Sequence, residues 1–125
     1  MVGSRSAFEA VLAPVSDSKV LVVDDNAANT ALVAKVLGRA GLPGVVEVQD
    51  PATVVDVLPA EEPDLVLLDL RMPGMDGFEV LEVVQRHAAG TYLPVVVITA
   101  DDAHDSVQRA LQMGAHDFVR KPFDA

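Results

Sequence analysis

Cysteine and tryptophan are missing from this chain, and its 125 residues include one tyrosine and four phenylalanines. Without thiols there are no disulfides and no thiolate metal sites, which is compatible with a reducing compartment. With so few rings, the core has to be assembled from Val, Leu and Ala. No apolar run reaches the ~18 residues that mark a membrane-crossing helix. The N-terminus also lacks the basic start and long apolar stretch of a secretory signal. A cytoplasmic location with no membrane association is therefore expected. Positive charge is scarce as well: nine Lys and Arg stand against nineteen Asp and Glu, a formal charge of −10. Such a surface repels phosphate backbones, so direct nucleic-acid binding by this domain is not expected. An acidic site that takes a metal ion fits it better.

What is present is one domain's worth of chain, half of it hydrophobic and 22% charged, the balance of a globular fold. Three runs are continuously apolar: KVLVVDD (19–25), DLVLLDL (64–70) and PVVVITA (94–100). Continuous rather than alternating apolarity predicts strands covered on both faces, as in a parallel sheet flanked by helices. DFVRK (117–121) and the weaker VVEVQD (45–50) read as two further strands. Helical spacing fills the gaps. Val33, Val36, Leu37 and Ala40 share the face of a first helix that ends at Gly41. A second spans about 52–58, carries Val54, Val57 and Leu58, and is expected to end at Pro59. Phe78, Leu81, Val84 and Ala88 line a third that stops at Gly90, and Ala103, Val107, Ala110 and Leu111 a fourth that stops at Gly114. Alternating strand and helix is the pattern of βαβ units.

In a parallel sheet the C-terminal ends of all strands meet along one edge, where ligands bind. The residues at those ends are Asp24 and Asp25, Asp69, Thr99 and Lys121. Each has an ordinary reading. Asp25 or Asn26 can cap the first helix, Thr99 can be a plain β-branched strand residue, and Lys121 a solvated charge. Asp69 lies several residues before the next helix and cannot cap it. Three carboxylates brought together repel one another unless a cation offsets their charge. An all-oxygen donor set points to Mg²⁺, with Mn²⁺ as the alternative, and several waters retained. Open coordination positions then suit phosphate oxygens, with a lysine ammonium and a threonine hydroxyl for the others. The set suits phosphoryl transfer onto an aspartate. No Gly-rich phosphate loop accompanies it, so a bound nucleotide donor is not expected. The three histidines, His87, His104 and His116, are scattered and are expected to be exposed rather than metal ligands.

VLVVDDN, LLDLRMPGMDG, VVVITA and FVRKPF, in that order and spacing, closely resemble the receiver domain of bacterial two-component response regulators, over about residues 19 to 123. The resemblance implies a flavodoxin-like, doubly wound sheet of five parallel strands in the order 2-1-3-4-5. It implies a phosphorylation-dependent signalling switch rather than a turnover enzyme, one that catalyses only its own phosphorylation and dephosphorylation. By resemblance, Asp69 is the phosphoacceptor, served by a sensor histidine kinase or phosphotransfer protein. Asp25 and Asp69 bind Mg²⁺ directly with the backbone carbonyl of Arg71, and Asp24 acts through water. Thr99 bonds the phosphoryl group, and Lys121 pairs with Asp69 and then with the phosphate. Thr99 and Phe118 form the switch, for which a plain core aromatic is the other reading of Phe118. The Lys121–Pro122 bond matches one the family holds in cis. The loop residues Pro73, Gly74 and Gly77 shape the turn after Asp69.

Residues 1–18 read as an N-terminal extension and 19–125 as the receiver domain, ending where relatives continue into a fifth helix. An apolar strip would then need cover from a longer chain, from a second copy in a dimer, or from the extension, whose Phe8, Val11 and Leu12 lie at helical spacing. Arg71 and Asp101 are expected to flank the phosphate's entrance. The output domain or partner protein is not readable. Two rivals stand beside this reading. An enzyme of the haloacid-dehalogenase type, which also uses an Asp nucleophile with Mg²⁺, would carry DxDx[TV] after its first strand, where this chain has DDNAA. A pseudo-receiver would lack a site residue.

Overall fold

The computed structural model describes residues 18–70, 76–99 and 104–120. Strand β1 (Val20–Val23) leads to helix α1 (Ala27–Arg39), then β2 (Val45–Val48), a 3₁₀ turn (Pro51–Thr53) and α2 (Val54–Glu61). Next come β3 (Leu65–Asp69), α3 (Gly77–His87), β4 (Val95–Thr99), α4 (His104–Gln112) and β5 (Asp117–Arg120). The five strands form one sheet in the order β2-β1-β3-β4-β5, and every neighbouring pair is parallel. This is the flavodoxin-like arrangement with four α-helices among the described residues.

Strand alternation explains why the central runs are apolar at every position. Leu21 and Val23 of β1 face one side, with Val66, Leu68, Val95 and Val97, and meet Val54 and Leu58 of α2, Val80, Leu81 and Val84 of α3 and Ala110 of α4. Val20 and Val22 face the other side with Ile98, where Val33 and Leu37 of α1 pack. Four-residue β1 is buried throughout. No helix among the described residues is long and apolar enough to cross a membrane.

Local signals set the helix ends. Asn26, not Asp25, caps α1: its side-chain oxygen accepts from the N–H groups of Ala28 at 2.9 Å and Asn29 at 3.2 Å. Past the other end, Gly41 takes φ +93°, the left-handed value that suits glycine there. Asp76 and Glu79 form a reciprocal capping box at the start of α3.

Two expectations need correction. Pro59 does not end the second helix but lies inside α2, which runs on to Glu61. The ring removes the N–H that would bond the carbonyl of Val55, and Val55 is 57% exposed, so water can serve that carbonyl instead. Ala40 is exposed rather than on the buried face of α1, because it is the C-cap, where the helical spacing has already stopped.

Candidate functional site

Few polar side chains are buried in the described part of the molecule: Asp24, Thr30, Asp69 and Thr99. Buried acids and hydroxyls are the informative exceptions in a core, and three of these four lie where strands stop at the same edge. Asp24 directly follows β1, Asp69 is the last residue of β3 and Thr99 the last of β4. The register explains the meeting. Val23 stands opposite Leu68, so one further step sets Asp24 beside Asp69. Asp69 itself is opposite Ile98, one residue short of Thr99.

Asp24 is held on both sides. Its N–H donates to the Val48 carbonyl at 3.0 Å, and its Oδ1 accepts from the Asn26 N–H at 3.0 Å. That second bond turns the chain sharply into α1 and leaves Asp25 exposed at the rim. One carboxylate oxygen from each of Asp24, Asp25 and Asp69 lies within 4.8 Å of the other two. No other such group of acids or histidines exists among the described residues.

Three carboxylates lie close together, and two of them, at 4% exposure, have little access to bulk water. Burial of like charge is costly unless a cation enters. The donors are hard oxygens with no nitrogen or sulfur among them, which fits a hard divalent ion. Three protein oxygens also leave part of an octahedral shell for other oxygen ligands. The donor chemistry therefore fits such an ion.

The other predicted residues are placed differently. Phe118, in β5, is partly buried against the larger core cluster and stands opposite Val97. Arg71, Asp101, Lys121 and Pro122 lie outside the described residues, as does nearly all of the 1–18 extension. His87, His104 and His116 are exposed and none joins the acidic cluster. His116 has a structural task that the sequence reading missed: its Nδ1 accepts from the Val95 N–H at 3.2 Å, and Tyr92 meets its ring edge-on at 5.5 Å.

One support of the site also escaped the sequence reading. Thr30, fully buried in α1, holds Glu47 Oε1 at 2.8 Å, and its hydroxyl oxygen accepts from Gln49 Nε2 at 2.8 Å. It thereby ties the first turn of α1 to β2. The signal was present, since Thr30, Val33 and Leu37 share one helical face. Gly77, which the sequence placed in the turn after Asp69, packs directly on the backbone there: a Cβ would lie 2.4 Å from Leu70 Cα and 2.7 Å from the Asp69 carbonyl oxygen. That contact is between segments and leaves no mark in spacing.

Residues 20–125 match the family model described as "Response regulator receiver domain". The chain is 40% identical over 106 residues to the DNA-binding transcriptional regulator NtrC of Escherichia coli, covering 84% of this chain and 22% of that protein. It is 38% identical over 107 residues to the response regulator PleD of Caulobacter vibrioides, covering 86% and 23%. It thus spans about a fifth of the length of these relatives. Among solved structures, the receiver domain of NtrX from Brucella abortus superimposes with a TM-score of 0.76 at 31% identity, covering 84% of this chain and 87% of that one.

Proposed function

The chain belongs to the response regulator receiver domain family, a family of signalling domains, and from that premise we propose that Asp69 accepts a phosphoryl group. The observation that carries this reading is the meeting of Asp24, Asp25 and Asp69 oxygens within 4.8 Å at the sheet edge. Asp69 is the last residue of β3, at the sheet edge where a donor can approach.

In the step itself, a carboxylate oxygen of Asp69 attacks phosphorus while the bond from phosphorus to the donor's imidazole nitrogen breaks. The products are an acyl phosphate on Asp69 and a donor histidine whose departing nitrogen takes up a proton from solvent, leaving a neutral imidazole. Asp24, Asp25 and Asp69, with the Arg71 carbonyl, hold Mg²⁺ or Mn²⁺ in this reading. When bound, the ion offsets the negative charge gathered on the phosphoryl oxygens. Thr99, at the end of the neighbouring strand, donates its hydroxyl to a phosphoryl oxygen. Lys121 gives the remaining oxygen an ammonium partner. Deep burial of Thr99 at 1% exposure means that its shift toward the phosphate vacates space in a packed region. Phe118 turns into that space, and the surface of α4 and β5 changes with it.

On this reading residues 19–125 are the receiver unit and 1–18 an extension. The upstream partner is a sensor histidine kinase or phosphotransfer protein in the cytoplasm. The downstream reader is an output domain or separate protein, with a dimer as one way of transmitting the change. The protein changes only its own phosphorylation state and does not turn over a substrate.

Incubation with acetyl phosphate and Mg²⁺, followed by intact-mass measurement, tests the proposal. A gain of one phosphoryl group that needs the ion and disappears in Asp69→Asn is expected. Continuous phosphate release would instead indicate a hydrolase, and no adduct would indicate a binding module without phosphorylation.

A further inference from the structure

We propose that the groove between β2 and α2 is a docking surface for a basic, extended segment of another protein, which adds as a strand to the outer edge of β2. Among the described residues β2 pairs with β1 alone. Its inward bonds are made by the carbonyls of Gly44 and Val48, which accept from the N–H groups of Val20 at 2.8 Å and Asp24 at 3.0 Å. Peptide groups alternate in direction along a strand, so the N–H and C=O of Glu47 point away from β1. An exposed strand edge of this kind is a template for a further strand.

Beside that edge lies a cavity of about 530 Å³, room for several side chains. Val46, Val48, Val57 and Ala60 line it with apolar surface. Alternate side chains of an added strand would enter there, which is how strand addition acquires specificity. Asp50 and Asp56 stand in the lining, and Glu61, also in the lining, is paired with Lys19 at 3.1 Å. Among the described residues no lysine, arginine or histidine lines the groove. The surface is apolar within and acidic around, so its complement alternates aliphatic residues with Lys or Arg.

Charge also decides among occupants. A second copy brings another −10 and sets acid against acid at the same groove. Residues 1–17 of this chain carry one arginine against one glutamate and one aspartate, which does not complement the lining. A basic segment from a different protein does. The seat is close to the acidic cluster, since the Val48 carbonyl already holds the Asp24 N–H.

The test uses the full ¹⁵N-labelled chain at near-physiological salt and a short synthetic peptide of alternating lysine and valine, with a glutamate–valine peptide as comparison. Saturable amide shifts at residues 46–50 and 56–61 are expected with the lysine peptide only. Asp56→Lys combined with Asp50→Asn, which keeps the cap on Ala52, should weaken binding at least about tenfold. Glu47→Pro removes the outward N–H and leaves pairing to β1 intact, and should weaken binding more than Glu47→Ala does. If the proline variant fails to fold, the charge variant decides. Shifts scattered over distant acids such as Glu79 and Glu82, indifferent to the charge variant, overturn the proposal. So does equal binding of the glutamate peptide. Peptide-free shifts at β2 that grow with protein concentration assign the edge to a second copy. Binding that appears only after deletion of residues 1–17 assigns it to the chain's own segment.

Discussion

Asp25 differs from its two neighbours in the acidic cluster by standing at the rim, exposed, while Asp24 and Asp69 are buried. Its charge adds repulsion in the ion-free protein and, on the proposed reading, a ligand when an ion is bound. Asp25→Ala is therefore expected to raise ion-free stability by about 0.5–1 kcal/mol and to abolish any further rise on adding Mg²⁺, both read from urea denaturation. Glycines show how the same chemical change has opposite signs in different surroundings. At Gly77 a methyl group would collide with backbone at 2.4 Å, whereas at Gly38 in α1 nothing lies within 4 Å of it. Gly77→Ala should cost about 1–3 kcal/mol through forced displacement. Gly38→Ala should gain about 0.5–1 kcal/mol by helix preference alone. Equal urea midpoints for the two variants would refute the packing argument. The Asp69–Leu70 backbone is what Gly77 touches, so its substitution should also lower phosphoryl acceptance more than the stability loss explains.

Among the elements, α1 owes its start to one side chain, because the Asn26 side-chain oxygen accepts from the N–H groups of Ala28 and Asn29. Asn26→Ala should cost about 1 kcal/mol of stability, measured by the same urea titration, with no loss of the Asp69 adduct at saturating acetyl phosphate. The pair Arg86–Glu82 on α3, at 2.9 Å and largely exposed, is of a kind that contributes little. Elements were legible where a pattern was local. The continuous apolar runs announced β1, β3 and β4, and glycines after the last apolar position marked the ends of three helices. Pro59 misled because its usual effect depends on whether the freed carbonyl finds water, and exposure at Val55 is not written in spacing. The capping box of Asp76 and Glu79 was legible in principle, as acid and glutamate three residues apart before an apolar run.

For the whole molecule, a metal ion held at the acidic cluster would couple binding to folding. The cluster's three oxygens are gathered only when β1 and β3 lie side by side, so an ion held there stabilises the folded state alone. At an ion concentration about 100 times Kd the gain is about 2.7 kcal/mol, expected as a shift in the urea midpoint between Mg²⁺ and chelator. An unmoved midpoint would remove the ion from the account. The chain order of residues by itself determined the strand and helix types, the parallel sheet and the set of acids at its edge, because apolar periodicity and strand-end position are local properties. Only the tertiary structure decided which acids are buried and that Thr30 braces the site through Glu47 and Gln49. Those outcomes depend on distances between segments far apart along the chain, and such distances are set by packing across the sheet.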